Sequence, residues 1–442
     1  MGILIQALQL ILSLSILVIV HEFGHFIAAK IFKTRVEKFY LFFNPWFSLF
    51  KFNYKGTEYG LGWLPLGGYV KIAGMIDESM DKEQLKKPPQ PWEFRSKPAW
   101  QRLIIMLGGV IMNVVLAIVI YVVMLSYYGE QYLPVQEANK YGISADSLAQ
   151  EMGFRNGDKI LAIDGKPEED FNKIPADIIL NEAKTATVIR NNDTVTIHFP
   201  EGSLNKMIKQ KSPLFIAPRF PFICDKFAKN SIAKEAGMQI GDTIIGINGK
   251  YITFFDDFRE EIQKHKNQKV EITVIRGRDT LNLPMQLNEK GLIGVYPKAN
   301  IDAFFKLNKK DYTLSQAIPE GFRKTWKGID NYLKQLKLLF SPEVKAYESV
   351  GGFITIGSIF PSVWHWESFW RLTAFLSIML AILNVLPIPA LDGGHVLFLL
   401  YEIITRRKPS DKFLEYAQIA GMVILFSLLI LANGNDILKL FR

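Results

Sequence analysis

A histidine and glutamate pattern lies near the end of the first apolar run of the chain. Residues 21–25 read HEFGH, an HExxH arrangement. Positions i and i+4 share one face of a helix, so the imidazoles of His21 and His25 can reach one metal ion. Glu22 lies beside them, where it can take a proton from an attacking water. A polar contact between helices is the alternative, but ionisable side chains inside a membrane are costly and mark functional sites by default.

A catalytic zinc site commonly uses three protein ligands, so two histidines need a third partner. Residues 384–395 read NVLPIPALDGGH. Pro387 and Pro389 interrupt a helix, which frees backbone groups that need partners or cavity water. Asp392 is the only acidic residue in the apolar stretch around it, and a His₂Asp zinc site accounts for both features. For His395 we favour a role in supporting the site or facing a helix over direct ligation.

The elements that must position these residues are apolar enough to span a bilayer, which takes about 20 residues. The composition agrees, with 49% hydrophobic and 21% charged residues. We predict a multi-span α-helical membrane protein with four transmembrane helices, at 1–34, 101–127, 370–404 and 413–433. A cleaved signal peptide is the rival interpretation of the first span, but a basic n-region and a clear cleavage site are both missing.

Basic residues flank these spans, and the formal net charge of the chain is +9. Such a charge suits nucleic acid or anionic lipid, and the apolar runs favour the lipid bilayer, so we predict no nucleic-acid partner. By the positive-inside rule, 35–100 and 405–412 are cytoplasmic loops, while both termini and the long segment 128–368 lie on the opposite side. The single cysteine, Cys224, excludes an internal disulfide framework and is expected to be a packed side chain.

The long segment contains a repeat. GFRNGDKILAIDGK (153–166) and GMQIGDTIIGINGK (237–250) align without gaps. Each copy predicts a Gly-Asp turn, an apolar strand and a tight Asp-Gly or Asn-Gly turn. The pattern resembles the PDZ module and predicts two α+β domains, at 135–215 and 216–300, on the extracytoplasmic side. Two β-rich domains of another kind are the alternative.

An amphipathic helix is predicted after the second copy, at 315–345. Its apolar residues recur at steps of three and four, and lysines interleave them. Such a helix can lie on the membrane surface or pack on the second PDZ-like domain, and the sequence does not separate the two.

Taken together, the motifs resemble those of the site-2 intramembrane metalloproteases, of the bacterial regulator-of-sigma-E type. The matching segments are HEFGH (21–25), LPLGGYVKIAGM (64–75), FRSKPAWQR (94–102), GGVIMN (108–113) and NVLPIPALDGG (384–394). With the PDZ pair, the resemblance covers essentially the whole chain. One departure is in SVGGFITIGS (349–358), where Gly352-Phe353 stands in place of the family's Gly-Pro, which leaves the fold of this segment open.

The resemblance implies one zinc ion per chain, held by His21, His25 and Asp392. It also implies that Glu22 is the general base, which activates the water and later passes the proton to the leaving amine. Asn384, in the third-span motif, would help to hold the substrate.

Asn113, in the second-span motif, would stabilise the site or contact the substrate. A hydrogen bond between helices, allowed by the small Gly109, explains Asn113 equally well.

The substrate helix must unwind near the metal, and the region 35–100 offers a partner for it. Residues 54–72 are rich in glycine and aromatics and predict β-hairpins. In the family this region forms a membrane re-entrant sheet whose edge pairs with the substrate by β-strand addition. Gly67, Gly68 and Tyr69 are the candidates for that contact, and a surface hairpin of the cytoplasmic loop is the alternative. Pro387 and Pro389, in the broken third span, complete the predicted substrate contacts.

The leading hypothesis is a zinc endopeptidase of the bacterial inner membrane that cuts single-span membrane proteins. The resemblance implies as substrates anti-sigma factors already shortened by another protease, or remnant signal peptides. The PDZ pair would filter substrates by size or bind their new C-termini. Two other functions fit the sequence less well. A transporter is disfavoured because the other spans carry no charged pairs, and a PDZ scaffold with structural zinc would not need Glu22.

Overall fold

A computed structural model of the chain describes residues 2–65, 67–75, 88–210, 215–298, 300–339 and 351–441. The chain forms two compact units, and each is described by itself. Unit 1 comprises Met1–Gly129 and Asp311–Arg442, and unit 2 comprises Glu130–Lys310. Within the described residues, four helices are long and apolar enough to cross a membrane, as predicted: Gly2–Ile31, Ala99–Tyr128, Trp366–Val385 and Lys412–Lys439.

The N-terminal part of unit 1 has two long helices separated in sequence by a small sheet. Its elements are α1 (Gly2–Ile31), β1 (Val36–Leu41), β2 (Phe50–Tyr54), β3 (Thr57–Leu61), β4 (Tyr69–Ile72) and α2 (Ala99–Tyr128), with a 3-10 turn at Phe94–Ser96. Helix α1 ends where Lys33 adopts a left-handed conformation (φ 55°) and the Thr34 amide donates to the Ala29 carbonyl at 2.8 Å.

The sheet of unit 1 has the order β2-β3-β1-β4, so β4 is an edge strand. Strands β2 and β3 form a hairpin around Lys55-Gly56, as the sequence predicted for this region. The rest of the sheet is not a series of hairpins. Strand β1 lies between β3 and β4, and it runs parallel to β3 and antiparallel to β4. Part of the region predicted at 35–100, Leu66 and 76–87, lies outside the described residues.

Unit 2 begins with the first copy of the repeat. Its elements are β5 (Glu130–Tyr132), α3 (Val135–Ala138), β6 (Ile143–Ala145), α4 (Ser147–Glu151), β7 (Lys159–Ile163), α5 (Ile174–Leu180), β8 (Thr185–Arg190), β9 (Asp193–His198), α6 (Ser203–Gln210) and β10 (Ile216–Pro218), with a 3-10 turn at Phe171–Lys173. The sheets are β7-β8-β9 and β10-β6. Buried side chains such as Phe154, Ile174 and Val188 share one apolar core.

The second copy has its own core and a closely similar order of elements. These are β11 (Cys224–Phe227), α7 (Ile232–Glu235), β12 (Thr243–Ile247), β13 (Lys250–Tyr251), α8 (Phe255–Ile262), β14 (Lys269–Arg276), β15 (Asp279–Gln286), β16 (Val295–Pro297) and β17 (Asn308–Lys310), with 3-10 turns at Gln263–His265 and Ile301–Ala303. The sheets are β13-β12-β14-β15 and β11-β16, and β17 pairs with β5. Cys224 is buried in this core, and burial raises the pKa of its thiol to about 11, which suits a packed side chain.

The Gly-Asp turns of the two copies are held in the same way. In the first copy the Arg190 guanidinium donates to both carboxylate oxygens of Asp158, at 2.8 and 2.7 Å. In the second copy Arg276 donates to Asp242 at the same two distances, and these bonds hold the pKa of Asp242 below its usual range. The sequence alignment of the repeat is therefore also an alignment of structure.

The C-terminal part of unit 1 is helical. Its elements are α9 (Leu314–Leu339), α10 (Phe353–Ser358), α11 (Trp366–Val385), α12 (Asp392–Thr405) and α13 (Asp411–Leu440). The third predicted span, 370–404, differs from the structure, in which it is two helices, α11 and α12, separated by residues 386–391. Pro387 and Pro389 lie in that interruption, where they lack the amide protons that a continuous helix needs.

Helix α9 is the predicted amphipathic helix, of which 340–345 lies outside the described residues. It packs along two of the membrane-spanning helices. A Cβ atom on Gly328 would lie 2.8 Å from Ile378 on α11, and the rings of Tyr332 and Phe375 are 6.2 Å apart. Small residues on this face let α9 approach its neighbours closely. Contact with the spans is thus a third arrangement beside the two that the sequence left open.

The departure from the family motif at Gly352-Phe353 has a structural explanation. Gly352 precedes α10, and the Phe353 amide donates to the Asn433 side chain on α13 at 3.3 Å. A proline at this position has no amide proton to donate. The Thr355 amide donates to Asp436 at 2.8 Å, so the first turn of α10 is held by α13. Residues 349–350 of the motif lie outside the described residues.

Candidate active site

Three side chains from α1 and α12 converge inside unit 1. Nε2 of His21 and Nε2 of His25 lie 3.1 and 3.3 Å from Oδ2 of Asp392, and the two nitrogens are 3.2 Å apart. Both histidines are buried, and Asp392 is partly buried. Histidines 21 and 25 were predicted to share a helix face, and Asp392 was predicted to meet them from the third span. The structure brings all three together.

This cluster has the donor set and spacing of a zinc site. Zinc binds histidine nitrogens at about 2.0–2.1 Å and carboxylate oxygens at about 2.0–2.2 Å, with tetrahedral geometry. Two ligand atoms at those distances and angles are about 3.3 Å apart, close to the separations seen here. In addition, Oδ2 of Asp392 is buried with no hydrogen-bond partner among the described residues. A bound cation satisfies that oxygen, so the residues fit zinc.

Each histidine is oriented through its other ring nitrogen. Nδ1 of His25 lies 2.8 Å from the carbonyl oxygen of Ile105 on α2. The carbonyl can only accept, so Nδ1 carries the proton and the Nε2 lone pair is free for a metal. The Asn113 side chain lies 3.1 Å from Nδ1 of His21, and its own Oδ1 has no partner among the residues described. Turning this amide over places Oδ1 on a protonated Nδ1, which frees Nε2 of His21 in the same way.

Helices α1 and α2 can approach this closely because glycines lie where they cross. A Cβ atom on Gly109 would lie 2.5 Å from Cε1 of His21 and from Nε2 of His25. A Cβ atom on Gly24 would fall on the backbone of Gly108. Real Cβ atoms do not make such contacts, so any larger residue forces the helices apart. The GxxxN motif therefore supplies both the close crossing, through Gly109, and an orienting amide, through Asn113.

Asp392 is positioned by the interruption between α11 and α12. Pro387 and Pro389 lie within it, and Asp392 is the first residue of α12. Ala390 has a positive φ of 86°, a strained conformation for a residue with a Cβ atom. The two glycines after Asp392 pack on the turn, since a Cβ atom on Gly394 would lie 2.6 Å from Cα of Pro389. The Leu-Asp-Gly-Gly sequence thus forms a tightly packed start of α12, directly after the break in the span.

A cavity of about 490 Å³ opens beside the three side chains. Glu22, the predicted general base, lines it. Asn384 also lines it, and Nδ2 of Asn384 lies 3.4 Å from Nε2 of His21. His395 borders the cavity too, but the metal-ligating cluster comprises His21, His25 and Asp392. The supporting role favoured for His395 stays a prediction.

The edge strand β4 forms one wall of the same cavity. Gly68, Tyr69 and the three residues that follow line it. The Tyr69 hydroxyl donates to the Asn44 side chain at 3.0 Å, which fixes the start of the strand. Gly67 precedes Gly68, with a φ of 145° that favours glycine, and a Cβ atom added to it would lie 2.9 Å from the ring of Phe43. Of the three predicted substrate contacts here, the structure places two on the cavity wall.

The sequence predicts the fourth span but assigns it no part in the site. The fourth span, α13, reaches the cavity through Gln418, and three residues later Gly421 lies against the backbone of Pro389. The available signal was a polar residue in an apolar span, but Gln418 does not belong to a motif with a recognisable spacing. The Ile105 carbonyl and the ring of Phe43 were also beyond sequence reasoning, because their roles depend on contacts distant in sequence.

Comparisons with known proteins match nearly the whole chain. The family model described as peptidase family M50 matches residues 9–428. A protein of Vibrio cholerae named "Putative zinc metalloprotease" is 29% identical, covering 97% of this chain and 98% of its own length. The regulator of sigma-E protease of Escherichia coli K12 is 29% identical, with the same coverages, and that of Haemophilus influenzae is 27% identical, again over 97% and 98%.

Proposed function

The chain belongs to peptidase family M50, the site-2 proteases, and from that premise we propose that it cuts membrane-spanning segments of other proteins at the cavity beside His21, His25 and Asp392. It is a zinc metalloprotease, as its family and relatives indicate. One observation supports the proposed site above all others. Three ligand atoms from two apolar segments distant in sequence meet within 3.3 Å of one another.

In the mechanism that we propose, His21, His25 and Asp392 hold the zinc ion. Zinc bound there would supply Lewis-acid chemistry, acting on the scissile carbonyl and on the attacking water. Glu22 borders the cavity one residue after His21, where its carboxylate takes the proton of the attacking water. Glu22 then delivers the proton to the nitrogen of the leaving peptide.

The substrate binds as an extended strand along β4. A helix hides its peptide bonds, so the segment to be cut must unwind before it reaches Glu22. An unwound segment exposes amide and carbonyl groups that need partners at membrane depth. Strand β4 lies at the edge of the sheet that the structure describes, and its Gly68 and Tyr69 line the cavity, so this strand would offer such partners by β-strand addition. Asn384, beside His21, would hold the reacting peptide bond near the metal.

The substrates that we propose are single-span membrane proteins of the bacterial inner membrane. Two relatives have the name regulator of sigma-E protease. That name supports, as one group of substrates, anti-sigma factors shortened by an earlier cut. Remnant signal peptides are the second proposed group. The two repeat copies of unit 2 would act as PDZ domains that admit only shortened substrates or bind their new C-termini. The basic residues around the spans favour an extracytoplasmic position for unit 2 and for both termini.

A cleavage assay tests the proposal. The purified chain and the Glu22→Gln variant are incubated with a model single-span substrate in detergent, with and without a zinc chelator. We expect the wild type to cut and to stop when zinc is removed, and Glu22→Gln to keep its zinc but not to cut. Equal cleavage by both proteins would remove Glu22 from the mechanism, and cleavage that survives full zinc removal would refute the metalloprotease.

A further inference from the structure

Gln418 is a polar residue on the apolar helix α13 whose side chain has no role in the mechanism above. It is 5% exposed, and it lines the cavity that also contains Glu22 and Asp392. Among the described residues its carboxamide has no hydrogen-bond partner, and its polar atoms reach the cavity instead of being enclosed by protein. Gln418 is therefore a mostly buried residue whose carboxamide faces the cavity of the candidate active site.

Such a side chain is unfavourable unless something binds it. An amide at a cavity wall binds either water in the cavity or a ligand that enters it, and an amide left without either costs free energy, more so at membrane depth. Packing alone does not explain it, because a leucine or methionine of similar volume fills the same space without that cost. The structure thus favours a ligand for Gln418 that arrives in the cavity.

The position of Gln418 is fixed by contact with the broken span. Gly421 lies one turn further along α13, and a Cβ atom there would overlap the backbone of Pro389. Helix α13 is therefore held against the segment that positions Asp392. The carboxamide of Gln418 shares the cavity with the edge strand that contains Tyr69.

We propose, on the basis of the protease function above, that Gln418 is a substrate-positioning residue that hydrogen-bonds the backbone of the unwound substrate. An extended peptide presents amide and carbonyl groups along both of its edges, and β4 can pair with only one edge. A carboxamide offers both a donor and an acceptor, so it can serve a peptide group of either kind. It is also neutral, and so it neither competes with Asp392 for a cation nor repels the Glu22 carboxylate.

The test separates substrate binding from cutting and from zinc binding. Gln418→Met, which keeps the volume, and Gln418→Ala, which does not, are made in the full chain, alone and combined with Glu22→Gln. Ser427→Ala is the matched control, since Ser427 lies on the same helix, is exposed, and bonds only its own helix at Val423. Zinc content, the Kd for a fluorescent single-span substrate in the non-cutting Glu22→Gln background, and KM and kcat are measured.

We expect zinc content to be unchanged in both Gln418 variants, and the substrate Kd and KM to rise about threefold to tenfold, as the loss of one hydrogen bond predicts. Ser427→Ala should match the wild type. An unchanged Kd in Gln418→Met and Gln418→Ala would overturn the proposal, and so would loss of zinc, which indicates a role through the metal site. Failure of the protease function is distinguishable, because it shows in the wild type as absent cutting.

Discussion

At the scale of single residues, the two histidines differ in what orients them. His25 is held by a backbone carbonyl, that of Ile105, which no side-chain substitution removes. His21 is held by the side chain of Asn113, which a single substitution removes. We therefore expect the zinc affinity of the proposed site to depend on Asn113, although Asn113 lies outside the ligand cluster.

We predict that Asn113→Leu weakens zinc binding about tenfold or more, the usual effect of losing a partner that orients a metal ligand. The amide no longer fixes the proton on Nδ1 of His21, so its Nε2 is less often ready to bind. Competition with a chelator of known affinity measures the change. Ser126→Ala is the control, because Ser126 is an exposed residue on the same helix that bonds only to Val122. Unchanged zinc affinity in Asn113→Leu would contradict the role given to Asn113.

The sequence could predict the candidate ligands and not all of their surroundings. HEFGH gives His21 and His25 because helical spacing is local, and Asp392 stood out because an acid is rare in an apolar segment. Gln418 and the Ile105 carbonyl were out of reach, since the role of each depends on packing between distant segments. The same reason explains why the parallel pairing of β1 with β3 was not predicted, because strand order is set by contacts distant in sequence.

At the scale of elements, the crossing of α1 and α2 is what lets the ligands converge. Gly24, Gly108 and Gly109 lie at this crossing. They contribute by having no side chain, because a Cβ atom on any of them would overlap the facing helix. The interruption between α11 and α12 positions Asp392 beside the two histidines. The geometry of the site is thus set by the packing of α1 on α2 together with the break between α11 and α12.

We predict that Gly109→Ala abolishes tight zinc binding and cleavage together. The added methyl group would lie 2.5 Å from Nε2 of His25, so α1 must shift or the imidazole must turn away. Zinc content after purification and cleavage of a single-span substrate measure the effect. Gly434→Ala is the matched control, because that glycine is also in a membrane-spanning helix but a Cβ atom added to it would meet nothing within 4 Å among the described residues. Full zinc content in Gly109→Ala would show that the crossing is not needed.

At the scale of the whole molecule, the described chain combines a membrane unit that has the candidate chemistry with a second unit built from a repeat. The two copies of that repeat have separate apolar cores and matching Arg-Asp pairs, at Asp158 and Asp242. The ligand cluster lies wholly in unit 1. The chemistry and the selection of substrates should therefore be separable.

We predict that replacing residues 135–300 with a flexible linker leaves the cutting of a shortened substrate intact and allows cutting of the full-length substrate. Unit 1 retains the candidate ligands, so its zinc content should not change. Cleavage of both substrates by the wild type and by the deletion protein is compared by gel. If the deletion protein still rejects the full-length substrate, unit 2 is not the filter.

The most direct test of the proposed zinc site is the position of zinc in crystals of the full chain, from anomalous scattering at the zinc edge. We expect one peak, within about 2.0–2.2 Å of Nε2 of His21, Nε2 of His25 and a carboxylate oxygen of Asp392. A zinc peak at another place in the chain would contradict this site, and so would a zinc ion coordinated by His395 in place of Asp392.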